Sequence, residues 1–185
     1  VHVWAGGLRG GLAVGTIIAN AIMASMVGII GAEIVTFGLI ALPQMLARKY
    51  DDKLALGSIA AGGGLATLIP PSVVFIVYGM VAGCSVGELF LAGVVPGLIL
   101  AALFIGYVIW HCWRNPEAAP AASMEERNIP WRKKLAMQKS LVAPVCLAAS
   151  VLGSMYTGVA TPSEAAGVGV LGAIGTALLN RRFNW

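Results

Sequence analysis

Two apolar stretches in this chain are interrupted in their middles by glycine and proline, and that pattern limits the fold more than any other feature. Residues 54–82 read LALGSIAAGGGLATLIPPSVVFIVYGMVA, with Gly62-Gly63-Gly64 and Pro70-Pro71 inside a run long enough to cross a bilayer. Upstream, residues 11–43 contain no Lys, Arg or Asp, and glycines at 28 and 31 mark a second interruption. At membrane depth no water can satisfy a free peptide group, and each one costs several kcal/mol, so irregular backbone persists only where it is buried in protein or lines a cavity. Paired interruptions in apolar segments are the sequence mark of a transporter binding site.

Composition supports the membrane reading. The chain is 58% hydrophobic and 11% charged, with a mean hydropathy of +0.86, where a soluble domain carries about 25% charged residues. The net charge of +4 is no nucleic-acid signature, because the cations cluster in loops beside apolar segments, as topology signals do. Cys84, Cys112 and Cys146 lack metal-ligand or CxxC spacing and read as small apolar fillers. The opening residues lack the three regions of a signal peptide, and the chain is expected to be part of a longer membrane protein.

The 33 residues 11–43 exceed the roughly 20 needed for one span and fall short of two. They predict a re-entrant hairpin of two half-length helices with its tip near Val27–Gly31. Gly11-x-x-x-Gly15 gives the first arm a close-packing face. After a polar loop at 48–53 comes the broken segment 54–82, and then Ser85-Val86-Gly87-Glu88, a capping box, opens a span over 89–113. That span ends in Tyr107, Trp110 and Trp113, which suit a membrane interface. Residues 114–140 are hydrophilic. They read as a Pro/Ala-rich linker followed by a short amphipathic helix at 131–137 lying in the interface plane, and their positive charge places them in the cytoplasm. Span 141–157 follows. Thr161-Pro162-Ser163-Glu164 then starts a helix to Leu179 with a capping box and proline at its first position, and Arg181-Arg182 close it on the cytoplasmic side. Three units result: a transport core over 1–113, the linker and arm helix over 114–140, and residues 141–185 as the start of a second repeat. Loop 44–53 is then cytoplasmic, and the hairpin begins and ends on that side with Arg9 at its mouth.

Glu33 is the sharpest candidate residue, since an acidic group beyond a hairpin tip at membrane depth is costly and is read as functional by default. The alternative is a hydrogen-bonded structural carboxyl. Asn20 reads as interhelical glue. Pro70 and Pro71 free upstream carbonyls, which at a broken helix can coordinate a cation such as Na⁺, while the half-helix starting at Ser72 points its positive end at the midplane and suits an anionic substrate group. Ser72 and Thr67 serve there as caps or as ligands, with the cap favoured. Gly83-x-Ser85-x-Gly87 matches a nucleophile-elbow string, but the histidines, His2 and His111, offer no nearby base, and loop plus capping box explains it better. Gly167-x-Gly169-x-x-Gly172 lies inside an apolar helix after no strand, so close packing explains it better than dinucleotide binding. Glu164 is accounted for by its cap. No P-loop is present, no catalytic residue is assigned, and the chain is not read as an enzyme.

The strings GGLAVGTIIANAIMASMVG, IALPQM, KYDDKLALGSIAAGGGLATLIPPSVVFIVYG, VGELFLAGVVPGLILA and GVATPSEAAGVGV together resemble the large membrane subunit of tripartite ATP-independent periplasmic (TRAP) transporters, and they cover most of the chain outside the linker. The resemblance implies an all-α integral membrane protein with an elevator fold of two inverted repeats, each with a re-entrant hairpin and a broken helix. It implies a Na⁺-driven symporter in the bacterial inner membrane that carries an organic anion, such as a dicarboxylate, received from a periplasmic substrate-binding protein. A small TRAP membrane subunit is the implied partner, and no organic cofactor or nucleic acid is implied. Gly28, Glu33, Thr67, Pro70, Pro71 and Ser72 are the expected ion and substrate region. One departure matters: many members have a serine-rich hairpin tip, SGSS, that helps form a sodium site, where this chain has Val27-Gly28-Ile29-Ile30. Glu33 then either replaces the lost oxygens or makes a proton the coupling ion. The rival readings are a binding-protein-independent Na⁺/dicarboxylate symporter of similar fold, an intramembrane serine hydrolase using Ser85, and a membrane assembly subunit without transport.

Overall fold

The computed structural model describes residues 10–119 and 139–179, and every regular element among them is helical. The predicted arm helix at 131–137, Arg9 and Arg181-Arg182 lie outside the described residues.

Helix α1 (Gly11–Val27) ends because Gly28 takes the left-handed conformation, φ +62°, and turns its N–H onto Ala24 O at 3.2 Å. That single 5→1 bond is the αL helix stop, and only glycine takes it without cost. Ile29 is extended, and α2 (Ile30–Ala47) starts at once. The break therefore falls at the expected tip, and the arms run antiparallel: Leu12 N–H, at the start of α1, donates to the hydroxyl of Tyr50, just past the end of α2, at 3.3 Å. The arm lengths correct the expectation. With 17 and 18 residues, each arm is about 26 Å long at 1.5 Å per residue, close to the roughly 30 Å hydrocarbon thickness rather than half of it. Helix α2 also runs four residues beyond 43, straight through Pro43, which is exposed.

The polar loop is shorter than predicted. Asp51 Oδ2 accepts the N–H of Leu54 at 3.1 Å, so α3 (Asp52–Gly64) begins inside it. The tri-glycine is a second correction: it does not interrupt α3 but forms its last turn. A 3₁₀ turn (Leu65–Thr67) follows, and the break itself is residues 68–72. Prolines 70 and 71 have no N–H to offer the carbonyls of Ala66 and Thr67, so the helix cannot propagate through them. It resumes as α4 (Val73–Ala82) and stops at Gly83, φ +67°. Ser85 Oγ accepts the N–H of Glu88 at 3.5 Å and caps α5 (Val86–Arg114).

Helices α1, α2 and α3 pack on one another around Ile17, Met45, Ala55 and Leu65, and α5 closes the cluster with Ala101, Val108 and Cys112. Outside this core the apolar side chains face outward: Leu39, Val77, Met80, Val81, Leu98 and Leu103 are all more than half exposed. Helices α2 and α5 are long and apolar enough to cross a bilayer. One end of the molecule gathers the hairpin mouth, Arg48, Lys49, Lys53 and the end of α5, where Asp51 N–H donates to Ala118 O at 2.9 Å. Helices α6 (Lys139–Tyr156) and α7 (Pro162–Leu179) form an antiparallel pair. Gly172 abuts Leu147 and a Cβ on Gly169 would sit 3.2 Å from Val151, so these two glycines form a packing face, while Gly167 has nothing within 4 Å. The capping box is formed: Thr161 N–H and hydroxyl both donate to Glu164 Oε2 at 2.8 Å, and Glu164 N–H returns to Thr161 Oγ1 at 3.4 Å.

Candidate functional site

The two interruptions meet. A Cβ on Gly28 would collide with Pro71 O and would lie 3.3 Å from Ser72 Cα, and Gly28 O accepts the N–H of Val73 at 3.5 Å. Glycine at 28 is thus required twice, for its positive φ and for the backbone pressed against it. On the opposite side, α5 receives the break in a glycine groove. A Cβ on Gly93 would strike the Phe75 ring and lie 2.6 Å from Leu68 O, and one on Gly97 would lie 2.9 Å from Ile69. Residues 68–72 are held between the hairpin tip and α5. The Gly93-x-x-x-Gly97 spacing carried this signal in the sequence and went unread there.

Ser72 occupies the cap position of α4 with extended backbone, φ −121°, yet makes no cap bond. Its hydroxyl is fully buried, and no group among the described residues pairs with it. The favoured cap reading is therefore corrected: the neighbouring backbone leaves the hydroxyl unused. Thr67, half-buried on the 3₁₀ turn, donates back to Gly64 O at 2.8 Å. Pro70 is buried and Pro71 half-buried.

Glu33 lies in the first turn of α2, its N–H donating to Ile29 O at 3.3 Å. Glu33 is 1% exposed, and neither carboxyl oxygen has a donor among the described residues. Among the described residues, no donor ties the carboxyl into a structural hydrogen bond. The structure does not pair Glu33 with Ser72 either, since each is without a partner. The tri-glycine brings α3 against both arms: a Cβ on Gly63 would meet the Ile34 side chain and lie 3.3 Å from Ile34 N, while one on Gly62 would lie 2.6 Å from Asn20 Nδ2. Asn20 bonds within its own helix, Nδ2 to Thr16 O at 3.0 Å, and its buried Oδ1 is unpaired, so it fills space at the α1–α3 contact without a hydrogen bond across it. A buried carboxylate with no donor is costly until it holds a cation or a proton. Glu33 and Asn20 leave acceptor oxygens, and Ser72 a hydroxyl, buried and unpaired among the described residues, and residues 10–47 and 54–113 contain no Lys or Arg.

Ser85 is exposed and occupied as a cap, and His111 stands 26 residues further along the same helix, about 39 Å away at the helical rise. The Ser85 string is a helix start, with no base beside it among the described residues. Cys112 is buried, while Cys84 and Cys146 are exposed rather than core fillers.

An all-α chain with apolar outer faces and two helix breaks packed on each other has the build of a membrane permease. All of it, residues 1–185, matches the family described as "Tripartite ATP-independent periplasmic transporter, DctM component", and the chain belongs to that family. It is 36% identical over 175 residues to the large permease protein of an ectoine/5-hydroxyectoine TRAP transporter from Ruegeria pomeroyi, covering 94% of this chain and 39% of that one. It is 36% identical over 165 residues to the large permease protein of a C4-dicarboxylate TRAP transporter from Pseudomonas aeruginosa (88% and 37%). It is 34% identical over 167 residues to an isethionate TRAP transporter permease from Oleidesulfovibrio alaskensis (87% and 25%). The chain thus spans no more than about two-fifths, 39%, of the length of these relatives.

Proposed function

We propose that this chain carries the first-repeat half of the transport site of a TRAP large permease. In this reading it sits in a bacterial inner membrane as a multi-pass protein of elevator type, with the α1–α2 hairpin re-entrant from the cytoplasmic end. It works with a small membrane subunit and a periplasmic substrate-binding protein and takes up an organic anion driven by a cation gradient. The observation that carries the reading is the seating of the Gly28 tip on Pro71-Ser72, with the Ser72 hydroxyl in that contact and the Glu33 carboxyl in the first turn of α2 both buried and unpaired among the described residues. Gly28, Thr67, Pro70, Pro71 and Ser72 form the break and its frame, and Glu33 supplies the fixed negative group.

Na⁺ is the coupling ion that the family resemblance suggests, and Glu33, in the first turn of α2 just past the tip, brings an acidic oxygen pair to a hairpin that lacks the serine-rich tip of many members. The relatives' names span ectoine, C4-dicarboxylates and isethionate. The substrate is accordingly assigned only as a small organic solute with an anionic group, the class suited to the N-terminal end of α4. The test is uptake into proteoliposomes by the full-length permease with its small subunit and binding protein, under an imposed Na⁺ or proton gradient. Loss of uptake in Glu33→Gln makes Glu33 a coupling residue. Na⁺-driven uptake unchanged by Glu33→Gln sinks that role and leaves the ion to backbone carbonyls. Uptake without the binding protein would favour the independent symporter.

A further inference from the structure

A groove of about 650 Å³ lies between Gly57 and Ala61 of α3 and Leu100, Leu103 and Phe104 of α5, with Ile17 of α1 as its floor. That volume is in the range of small-molecule sites. Gly57 opens the groove: it is exposed, and nothing lies within 4 Å of its Cβ position. The two helices run in opposite directions, since Asp51, just before α3, bonds Ala118, just after α5. Both therefore bring polar residues to the same end. Asp51, Lys53, Tyr107 and His111 bound that end, and Ala61 and Leu100 bound the other. From Leu100 to His111 the groove extends about 16 Å at the helical rise, close to half of the roughly 30 Å hydrocarbon thickness. With α5 spanning the bilayer, the groove has the length of one leaflet. Its apolar end lies at mid-membrane depth and its polar end at the interface, where Tyr107, Trp110 and Trp113 form an aromatic belt.

We propose that this groove holds one phospholipid with a phosphoethanolamine headgroup, an acyl chain lying between α3 and α5 and the headgroup at the Asp51–Lys53 end. The inference needs α5 to cross the bilayer and does not depend on the coupling role given to Glu33. Apolar walls that open sideways suit an acyl chain, and the charges at the polar end select the headgroup. Asp51 and Lys53 are the charged residues bounding the groove, one of each sign. The Lys53 ammonium and the His111 ring suit a phosphate, and the Asp51 carboxylate suits the headgroup ammonium. A purely anionic headgroup would bring no cation to Asp51, and a quaternary amine has no N–H to donate to it. Both ends of this polar cluster are held in place. Asp51 Oδ2 accepts the N–H of Leu54 at 3.1 Å, and the His111 ring stacks on Tyr107 with centroids 5.7 Å apart. Basic residues between membrane helices at an interface are a recognised way of holding lipid headgroups, and here the added carboxylate turns that preference toward a zwitterion.

The test is native mass spectrometry of the full-length permease with its small subunit, delipidated and then given phosphatidylethanolamine or phosphatidylglycerol of the same acyl chains. Phosphatidylethanolamine is expected to be retained about fivefold better, the factor that one charge supplies at a membrane surface. Asp51→Asn keeps an oxygen for the α3 cap and is expected to bring that ratio to about 1. Lys53→Gln, on an exposed side chain, is expected to weaken retention of phosphatidylethanolamine by about fivefold. Gly57→Leu fills the groove and is expected to abolish retention of either lipid. Gly106→Leu, at an open position of α5 that does not bound the groove, is expected to leave it unchanged. Equal retention of the two lipids by the parent protein would overturn the headgroup assignment. Gly57→Leu and Gly106→Leu behaving alike would reduce the lipid to the general bilayer shell and overturn the site. The exposed charge variants decide the matter if Gly57→Leu does not fold. A benzophenone side chain placed at Leu103 is expected to crosslink to lipid, and crosslinking to protein alone would give the groove to another segment and sink the proposal.

Discussion

Five helix starts of this protein fall into two kinds. At the loops, α3, α5 and α7 begin on side-chain caps from Asp51, Ser85 and Thr161. At the two interior breaks, α2 and α4 begin on Ile29 and Ser72, and neither side chain makes a cap bond. Loop starts are completed by their own local sequence. The interior starts are completed by each other: the tip of one break sits on the backbone of the second, and Gly28 O accepts the first helical N–H of α4. Local signals therefore locate the ends of the permease helices, whereas the break region depends on a contact between segments more than 40 residues apart in sequence.

The sharpest way to break this contrast is to put the same substitution at two left-handed glycines. Gly28→Ala adds a Cβ onto Pro71 O, whereas Gly83 has φ +67° and nothing within 4 Å of its Cβ position. Gly83→Ala is expected to cost about 1 kcal/mol for its backbone conformation alone. Gly28→Ala is expected to cost several times that and to abolish uptake, because backbone cannot move aside as a flexible side chain can. Thermal unfolding of the purified full-length permease measures both. If the two variants melt together, the breaks are not clamped on each other.

Next come the glycines at the end of α3. Gly62→Ala meets Asn20 and is expected to destabilise by about 1–3 kcal/mol through overpacking. Gly64 is helical with open space around it, so Gly64→Ala is expected to be neutral or stabilising by up to about 1 kcal/mol through helix propensity. A combined Gly62→Ala and Asn20→Ala variant should recover part of the loss, which a double-mutant cycle would read.

The smallest expected effect separates the two serines. Ser85→Ala removes a formed cap and is expected to cost about 1 kcal/mol. Ser72→Ala removes no hydrogen bond and should lie within about 0.5 kcal/mol of the parent in stability, while weakening cation- or substrate-dependent uptake. A Ser72→Ala variant as destabilised as Ser85→Ala, with normal uptake, would make Ser72 an ordinary cap after all.

Much of this was legible in the sequence, because it is set by short-range chemistry. A residue without an N–H cannot continue a helix, so Pro70-Pro71 marked a break. Thr161 and Glu164 at capping spacing marked a start, and a run without charges marked an apolar helix. The same logic misread Gly62–Gly64: glycine is permissive, and whether it bends a chain or admits a neighbour depends on what lies opposite. Tertiary structure decided for the neighbour, by packing Asn20 and Ile34 against that turn. It also carried α2 through Pro43, which is tolerated on an exposed face.

Tertiary structure likewise left the Ser72 hydroxyl unpaired in a cap position and placed Gly93 and Gly97 behind the break. Those outcomes rest on contacts between segments far apart in the chain, whose packing no local spacing encodes.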